Sequence, residues 1–174
     1  MFVSFTSPAS RCSRTRGFTL VEIMVVVVII GLLAAMSLPT YRRITIRSKS
    51  AAVENDLRAF STAFITYNLQ NGKWPGDGDP HTIPVEMTSA LPTNFELKTA
   101  MGGYYKWCNV GGPTPSADGV PCKTAIIIQG DTTSPLNDDE DLRLLIDKQL
   151  DDGDLHNGNI QVGSTGSLVF IIEK

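Results

Sequence analysis

Only two histidines occur in this chain, His81 and His156, and neither stands beside a nucleophile pattern. GxSxG, Walker A and HExxH motifs are missing, so the hydrolase, P-loop and zincin chemistries built on them have no foothold. No catalytic residue is assigned, and the expectation is a protein that is not an enzyme. Cysteine is scarce: Cys12 lies near the start, and only Cys108 and Cys122 follow. Acidic residues are missing from Met1 to Gly17, which carries Arg11, Arg14 and Arg16. Beyond Gly17, twelve basic residues face 18 acidic ones, a formal charge of −6. Bulk charge of that sign does not hold a chain on nucleic acid, and no nucleic-acid partner is evident.

What is present is one long apolar run. From Phe18 to Leu38 there are 21 residues, and only Thr19, Glu22 and Ser37 carry polar side chains. A helix crossing a bilayer core needs roughly 20 residues at about 1.5 Å each. Glu22 breaks the pattern, since a lone carboxylate in lipid costs about 2.5 to 3.5 kcal/mol even on lenient scales. A plain anchor has no use for it. If the chain were cut after Gly17, Phe18 would carry a charged α-amine beside lipid, and Glu22 of one subunit could pair with Phe18 of a neighbour. An ordinary signal anchor or secretory signal peptide is the competing reading. Ala35-Met36-Ser37 is a poor small-x-small cleavage site for it. The basic residues do not orient the span: Arg11, Arg14 and Arg16 precede it, and Arg42, Arg43, Arg47 and Lys49 follow it.

Gly17-Phe18-Thr19-Leu20-Val21-Glu22, with basic residues before and an apolar helix with a proline after, resembles the class III signal of type IV prepilins. That family includes type IV pilins and the pseudopilins of type II secretion. The resemblance implies cleavage between Gly17 and Phe18 by a prepilin peptidase and N-methylation of Phe18. It also implies a single-pass inner-membrane subunit with a periplasmic head. An ATPase and a membrane platform would lift such subunits into a homo- or hetero-oligomeric filament, periplasmic or extracellular. The resemblance is specific from about Arg14 to Tyr41 and weaker beyond.

The remainder reads as a continuation and a head. Gly31 and Pro39 interrupt the apolar helix, and proline favours a bend near Ser37 to Pro39. Val53, Leu57, Phe60, Phe64 and Tyr67 recur at helical steps and form one apolar face, until Asn71-Gly72 supplies a stop. A continuous helix from Phe18 to Gln70 would hold 53 residues, about 80 Å. The expected divisions are a leader over 1–17, a transmembrane and filament-core helix over 18–38, its amphipathic continuation over 39–71, and a head over 72–174. The head opens on a loop-rich connector, with a short helix expected at Thr88 to Leu91. Strands are expected at Gly103 to Val110, Ala125 to Gln129 and Leu168 to Ile172, with Ile160 to Val162 a short partner. Gly111 to Pro121 reads as a long turn. Asn137 is the expected cap of an acidic-fronted helix with Leu142, Leu145, Ile146 and Leu150 on its apolar face, closed by Gly153. The fold class is α+β and pilin-like: a long N-terminal helix, transmembrane in its first half, packed on a small antiparallel sheet.

Two features of the head carry chemistry. Cys108 and Cys122 form an even pair in a domain read as exported, the setting where a disulfide persists, although two buried free thiols fit the sequence as well. Asp147, Asp151, Asp152 and Asp154 cluster past the acidic helix and offer oxygen ligands for calcium. Their spacing is not that of an EF-hand, whose position-twelve glutamate would fall on Gly163. A solvated acidic turn is the plainer reading. The late acidic turn, the compact head and the mid-chain cysteines favour a type II secretion pseudopilin, a subunit of protein transport. A pilus pilin for adhesion, motility or DNA uptake, and a membrane-anchored binding domain that never polymerises, are the alternatives.

Overall fold

A computed structural model describes residues 17–111 and 115–174. The leader, with Cys12 and its arginines, lies outside the described residues up to position 16. The chain divides into two units, Met1–Tyr41 and Arg42–Lys174.

Helix α1 runs from Leu20 to Asn71 with Pro39 inside it. Proline removes one intrahelical hydrogen bond, but the helix continues on both sides of it. In the first unit every described side chain is exposed. In the second unit the helix turns one face inward: Val53, Leu57, Phe60 and Phe64 are completely buried, and Tyr67 packs at the margin. The 3.6-residue period of that stripe makes the buried face continuous. Gly72, at φ +68°, ends the helix, and its N–H donates to Asn68 O at 2.7 Å. Glycine tolerates that left-handed conformation without steric cost.

The connector holds two short 3-10 turns, Val85–Met87 and Thr93–Glu96, in place of the helix expected at Thr88 to Leu91. Each follows a proline, Pro84 or Pro92. Pro92 disfavours helical geometry at Leu91, which blocks the expected helix from extending. Both turns still deliver core residues, Met87 and Phe95.

Four antiparallel strands form the sheet: β1 Tyr104–Asn109, β4 Thr124–Gln129, β5 Ile160–Val162 and β6 Leu168–Glu173, in the order β1-β4-β6-β5. Alternation along the strands sends Tyr105, Trp107, Ile126 and Ile128 toward the core that includes the α1 stripe, and Cys108, Ala125 and Ile127 toward a second cluster. Because both faces of β4 are covered, Ala125-Ile126-Ile127-Ile128 reads as an unbroken apolar run and not as an alternating one. The main core is aromatic. Phe64 stacks on Trp107 at 3.8 Å, and Phe60 meets Phe95 and Tyr105 edge-on at 5.0 and 4.9 Å. The two edge-on contacts suit the ring quadrupoles.

The stretch read as a long turn, Gly111 to Pro121, contains a small hairpin of β2 Ser116–Ala117 and β3 Val120–Pro121. Asp118 and Gly119 take φ of +48° and +84° at its tip, the two successive positive angles of a type I′ turn. The Asp118 carboxylate accepts from Ser164 Oγ at 2.8 Å and Thr165 Oγ1 at 2.6 Å, and also from Ser167 Oγ. The hairpin is thereby tied to the turn before β6.

Helix α2 spans Glu140–Leu150 with Asp139 as its N-cap. The expected cap, Asn137, instead accepts from the Asp139 N–H through Oδ1 at 3.2 Å. It sits two residues too early to serve the first free helical N–H groups. Leu142 and Ile146 are buried as expected, Leu145 and Leu150 only partly, and two charged residues, Arg143 and Asp147, are buried beside them.

Candidate functional site

The N-terminal tract begins with Gly17 and Phe18 in extended, exposed backbone directly ahead of α1; Phe18 is 82% exposed. Glu22 stands three residues after Thr19. Its Oε2 accepts from the Thr19 N–H and from Thr19 Oγ1, both at 2.9 Å, while the Glu22 N–H donates to Thr19 Oγ1 at 3.3 Å. This reciprocal pattern is a capping box, in which two otherwise orphaned N–H groups at a helix start are satisfied together. The sequence reading gave Glu22 no partner within its own chain and overlooked Thr19. The T-x-x-E spacing before an apolar run was the available signal.

Beyond the cap, the apolar side chains Leu20 to Leu38 stay exposed among the described residues; Val28 is 69% and Leu38 70% exposed. Covering a side chain of this size is worth about 1.5–3 kcal/mol. The tract therefore favours an apolar environment that the described residues of its unit do not supply. Among the described residues, α1 is the one helix long and apolar enough to cross a membrane. The Ser37 hydroxyl donates to Leu33 O at 2.9 Å, within its own helix. Nothing lies within 4 Å of a Cβ built on Gly31, so crowding inside the chain does not require glycine there. At the start of the second unit, Arg42 reaches Asp139 at 3.5 Å and Asp141 at 3.3 Å.

The acidic turn after α2 does not gather all four expected carboxylates. Asp147, Asp151 and Asp152 each place an oxygen within 4.8 Å of the others. Asp154 is engaged elsewhere: Oδ1 accepts from the His156 N–H at 3.1 Å and Oδ2 from Asn157 Nδ2 at 2.7 Å. Asp147 is fully buried, and neither of its oxygens has a hydrogen-bond partner. Burial, together with the nearby charges of Asp152, Asp151 and Asp154, pushes its carboxyl up to about 6.

The bridge expected between Cys108 and Cys122 is not formed; both are free, buried thiols in the second cluster. Cys108 faces Ala125 across the β1–β4 ladder. Sequence spacing sets the loop length but not the Cβ directions that a disulfide demands. Burial, with a smaller contribution from Asp77, raises the Cys108 thiol to about 11, and burial raises that of Cys122 as well.

Residues 12–38 match the family model described as the prokaryotic N-terminal methylation motif. The type IV major fimbrial protein FimA of Dichelobacter nodosus is 36% identical over 131 residues, covering 71% of this chain and 75% of FimA. The type IV major pilin protein PilA of Myxococcus xanthus is 48% identical over 113 residues, 63% of this chain and 48% of that protein. A fimbrial protein of Neisseria meningitidis serogroup B is 39% identical over 91 residues, 52% of this chain and 47% of that one. The chain thus spans about half the length of these last two relatives. Among solved structures, the major type IV pilin PilA1 from Clostridium difficile aligns over 76% of this chain and 98% of its own, with a TM-score of 0.49 and 19% identity. The chain belongs to the type IV pilin family and carries the N-terminal methylation motif over residues 12–38.

Proposed function

We propose that the chain is cut between Gly17 and Phe18 by a prepilin peptidase, methylated on Phe18, and assembled into a pilus filament with other pilin-like subunits. The observation that carries this reading is the bare apolar tract behind an exposed Gly17-Phe18 junction, with one acid, Glu22, at its entry. In the membrane, lipid covers the tract. In the filament, neighbouring tracts replace lipid, and Glu22 exchanges its Thr19 contacts for the Phe18 amine of the next subunit. The head stays on the periplasmic side, and an inner-membrane platform and ATPase drive extraction. Gly31 and Pro39 are the points where the tract would bend to pack. The names of the relatives favour a pilus over a secretion pseudopilin. The pseudopilin reading keeps the support of the acidic turn late in the head.

The test is the mass of the mature N-terminus together with the yield of sheared fibres from wild type and Glu22→Ala. The expected result is a chain starting at methylated Phe18 in both, with fibres lost only in the variant. A chain starting near Ser37, or normal fibres from Glu22→Ala, overturns the reading. Surface fibres seen by electron microscopy under ordinary expression support the pilus; fibres confined to the periplasm support the pseudopilin.

A further inference from the structure

We propose that the cavity between the end of β4, the start of α2 and the turn before β6 binds a small hydroxylated carboxylate, with Arg143 as its charged partner. The cavity has a volume of about 530 Å³, and Gln129, Asp131, Asp138, Arg143, Thr165 and Ser167 are among the residues that line it. Small-ligand sites commonly measure about 300–1,000 Å³. Arg143 is only 8% exposed. A guanidinium carries five N–H donors, yet among the described residues only Nη2 is engaged, 3.5 Å from Asn137 O and 3.2 Å from Asp138 Oδ1. Nε is buried with no hydrogen-bond partner. Unspent donors on a buried cation are costly, and a group of that kind needs a reason. Helix stability does not supply one: Arg143 stands close to the start of α2, where the positive end of a helix disfavours a cation. An anion in the cavity answers both charges.

Asp138 fills that role only loosely. Its side chain is 95% exposed, and an ion pair so open to water is worth about 0–1 kcal/mol. The acids beside it are turned elsewhere, since Asp139 and Asp141 reach Arg42. Asp131 is already compensated: Oδ1 accepts from the Thr133 N–H at 2.8 Å, Thr133 Oγ1 at 2.7 Å and the Ser134 N–H at 2.6 Å, and Oδ2 lies 3.4 Å from His81 Nε2. An incoming carboxylate can replace Asp138 and accept from paired N–H groups of the guanidinium, the fork that arginine offers. The rest of the lining suits hydroxyl groups. The Gln129 side chain makes no hydrogen bond among the described residues, so its amide presents donors and an acceptor. Thr165 Oγ1 and Ser167 Oγ donate to Asp118 and keep lone pairs for a ligand. Those bonds also fix this wall in advance, so binding orders little further chain. Every group named lies in the head, and the cavity depends neither on cleavage nor on assembly.

Calorimetric titration of the full chain in detergent with glucuronate tests the site. Glucose, which has the hydroxyls without the carboxylate, and acetate, which has the carboxylate without the hydroxyls, are the comparison ligands. Glucuronate is expected to occupy one site per chain and to saturate below about 10 mM, with acetate about tenfold weaker and glucose not saturating. Arg143→Gln should abolish saturation. Asp138→Asn removes the competing carboxylate and should tighten glucuronate about threefold, a gain that a purely structural Arg143 would not give. Gln129→Ala should weaken binding about fivefold with an unchanged Tm. If Arg143→Gln does not fold, Asp138→Asn and Gln129→Ala decide. No saturable binding of glucuronate to wild type, full binding to folded Arg143→Gln, or unchanged affinity in both other variants overturns the proposal. Equal affinity for glucose overturns the carboxylate, and equal affinity for acetate overturns the hydroxyls.

Discussion

Leucine, isoleucine and valine are abundant both before Tyr41 and after it, but the two regions use them differently. In the head, the apolar side chains cover one another: Val53, Leu57, Ile126 and Ile128 are fully buried. In the tract, Leu20 to Leu38 stay exposed among the described residues. The same residue types therefore supply internal stability in one region and a demand for partners in the other. Changes in the head should appear as melting temperature, and changes in the tract as insertion and assembly.

The largest effect expected is from Trp107→Ala, which removes the ring stacked on Phe64. A loss of about 3–5 kcal/mol should lower the head's Tm by about 10–20 °C. Ile29→Ala in the tract should leave that Tm within about a degree, and a comparable drop would break the division. Tyr105→Phe should cost about 1 kcal/mol, because the Tyr105 hydroxyl donates to Asp56 at 3.0 Å. Asn94 Nδ2, at 2.7 Å, still serves the other carboxylate oxygen.

Acid should weaken the head through Asp118. Burial raises its carboxyl, but hydrogen bonds from Ser167, Thr165 and Ser164 outweigh it and hold the group below its ordinary value of 3.8. The folded value is the lower one, so this contribution is complete above about pH 4 and disappears as pH falls through the depressed value. Asp118→Asn should flatten the acid limb of the melting curve, with the difference read between pH 5 and pH 2. The smallest effect is expected from Thr19→Ala, about 0.5–2 kcal/mol of local helix stability. It is visible as faster hydrogen exchange over the first turn of α1 and not in Tm, whereas Thr19→Ser should restore protection. Thiol counting sharpens the picture of the head, with two thiols expected on denaturation of reduced or air-exposed protein alike. Finding none before reductant would show a bridge.

Much of the fold was legible because it rests on periodicity. The stripe from Val53 to Phe64 and the principal strands follow from side-chain spacing alone. The parts that were not legible depend on single contacts. The β2–β3 hairpin is two residues per strand, too short for a pattern, although Asp118-Gly119 was its one signal. The cap of α2 moved from Asn137 to Asp139 within a run of four acids, any of which could start a helix. At the tract, composition made Glu22 conspicuous but could not show that Thr19 already holds it. In the acidic turn, charge density was plain, but only packing distinguishes the buried Asp147 from the solvated Asp154. The thiols of Cys108 and Cys122 show the same limit: proximity along the chain does not fix direction in space.

The strand order β1-β4-β6-β5 has a consequence for the timing of biosynthesis. β6 lies between β4 and β5, yet it is the latest strand in the chain. While a ribosome is still translating α2, the β1–β4 pair is all of the four-stranded sheet that can exist. β5 emerges with no neighbour to hold it until Leu168–Glu173 follows. A nascent head is therefore an open half-sheet with the β4 edge unpaired, the kind of surface that other chains can join. A few residues near position 170 decide whether it closes.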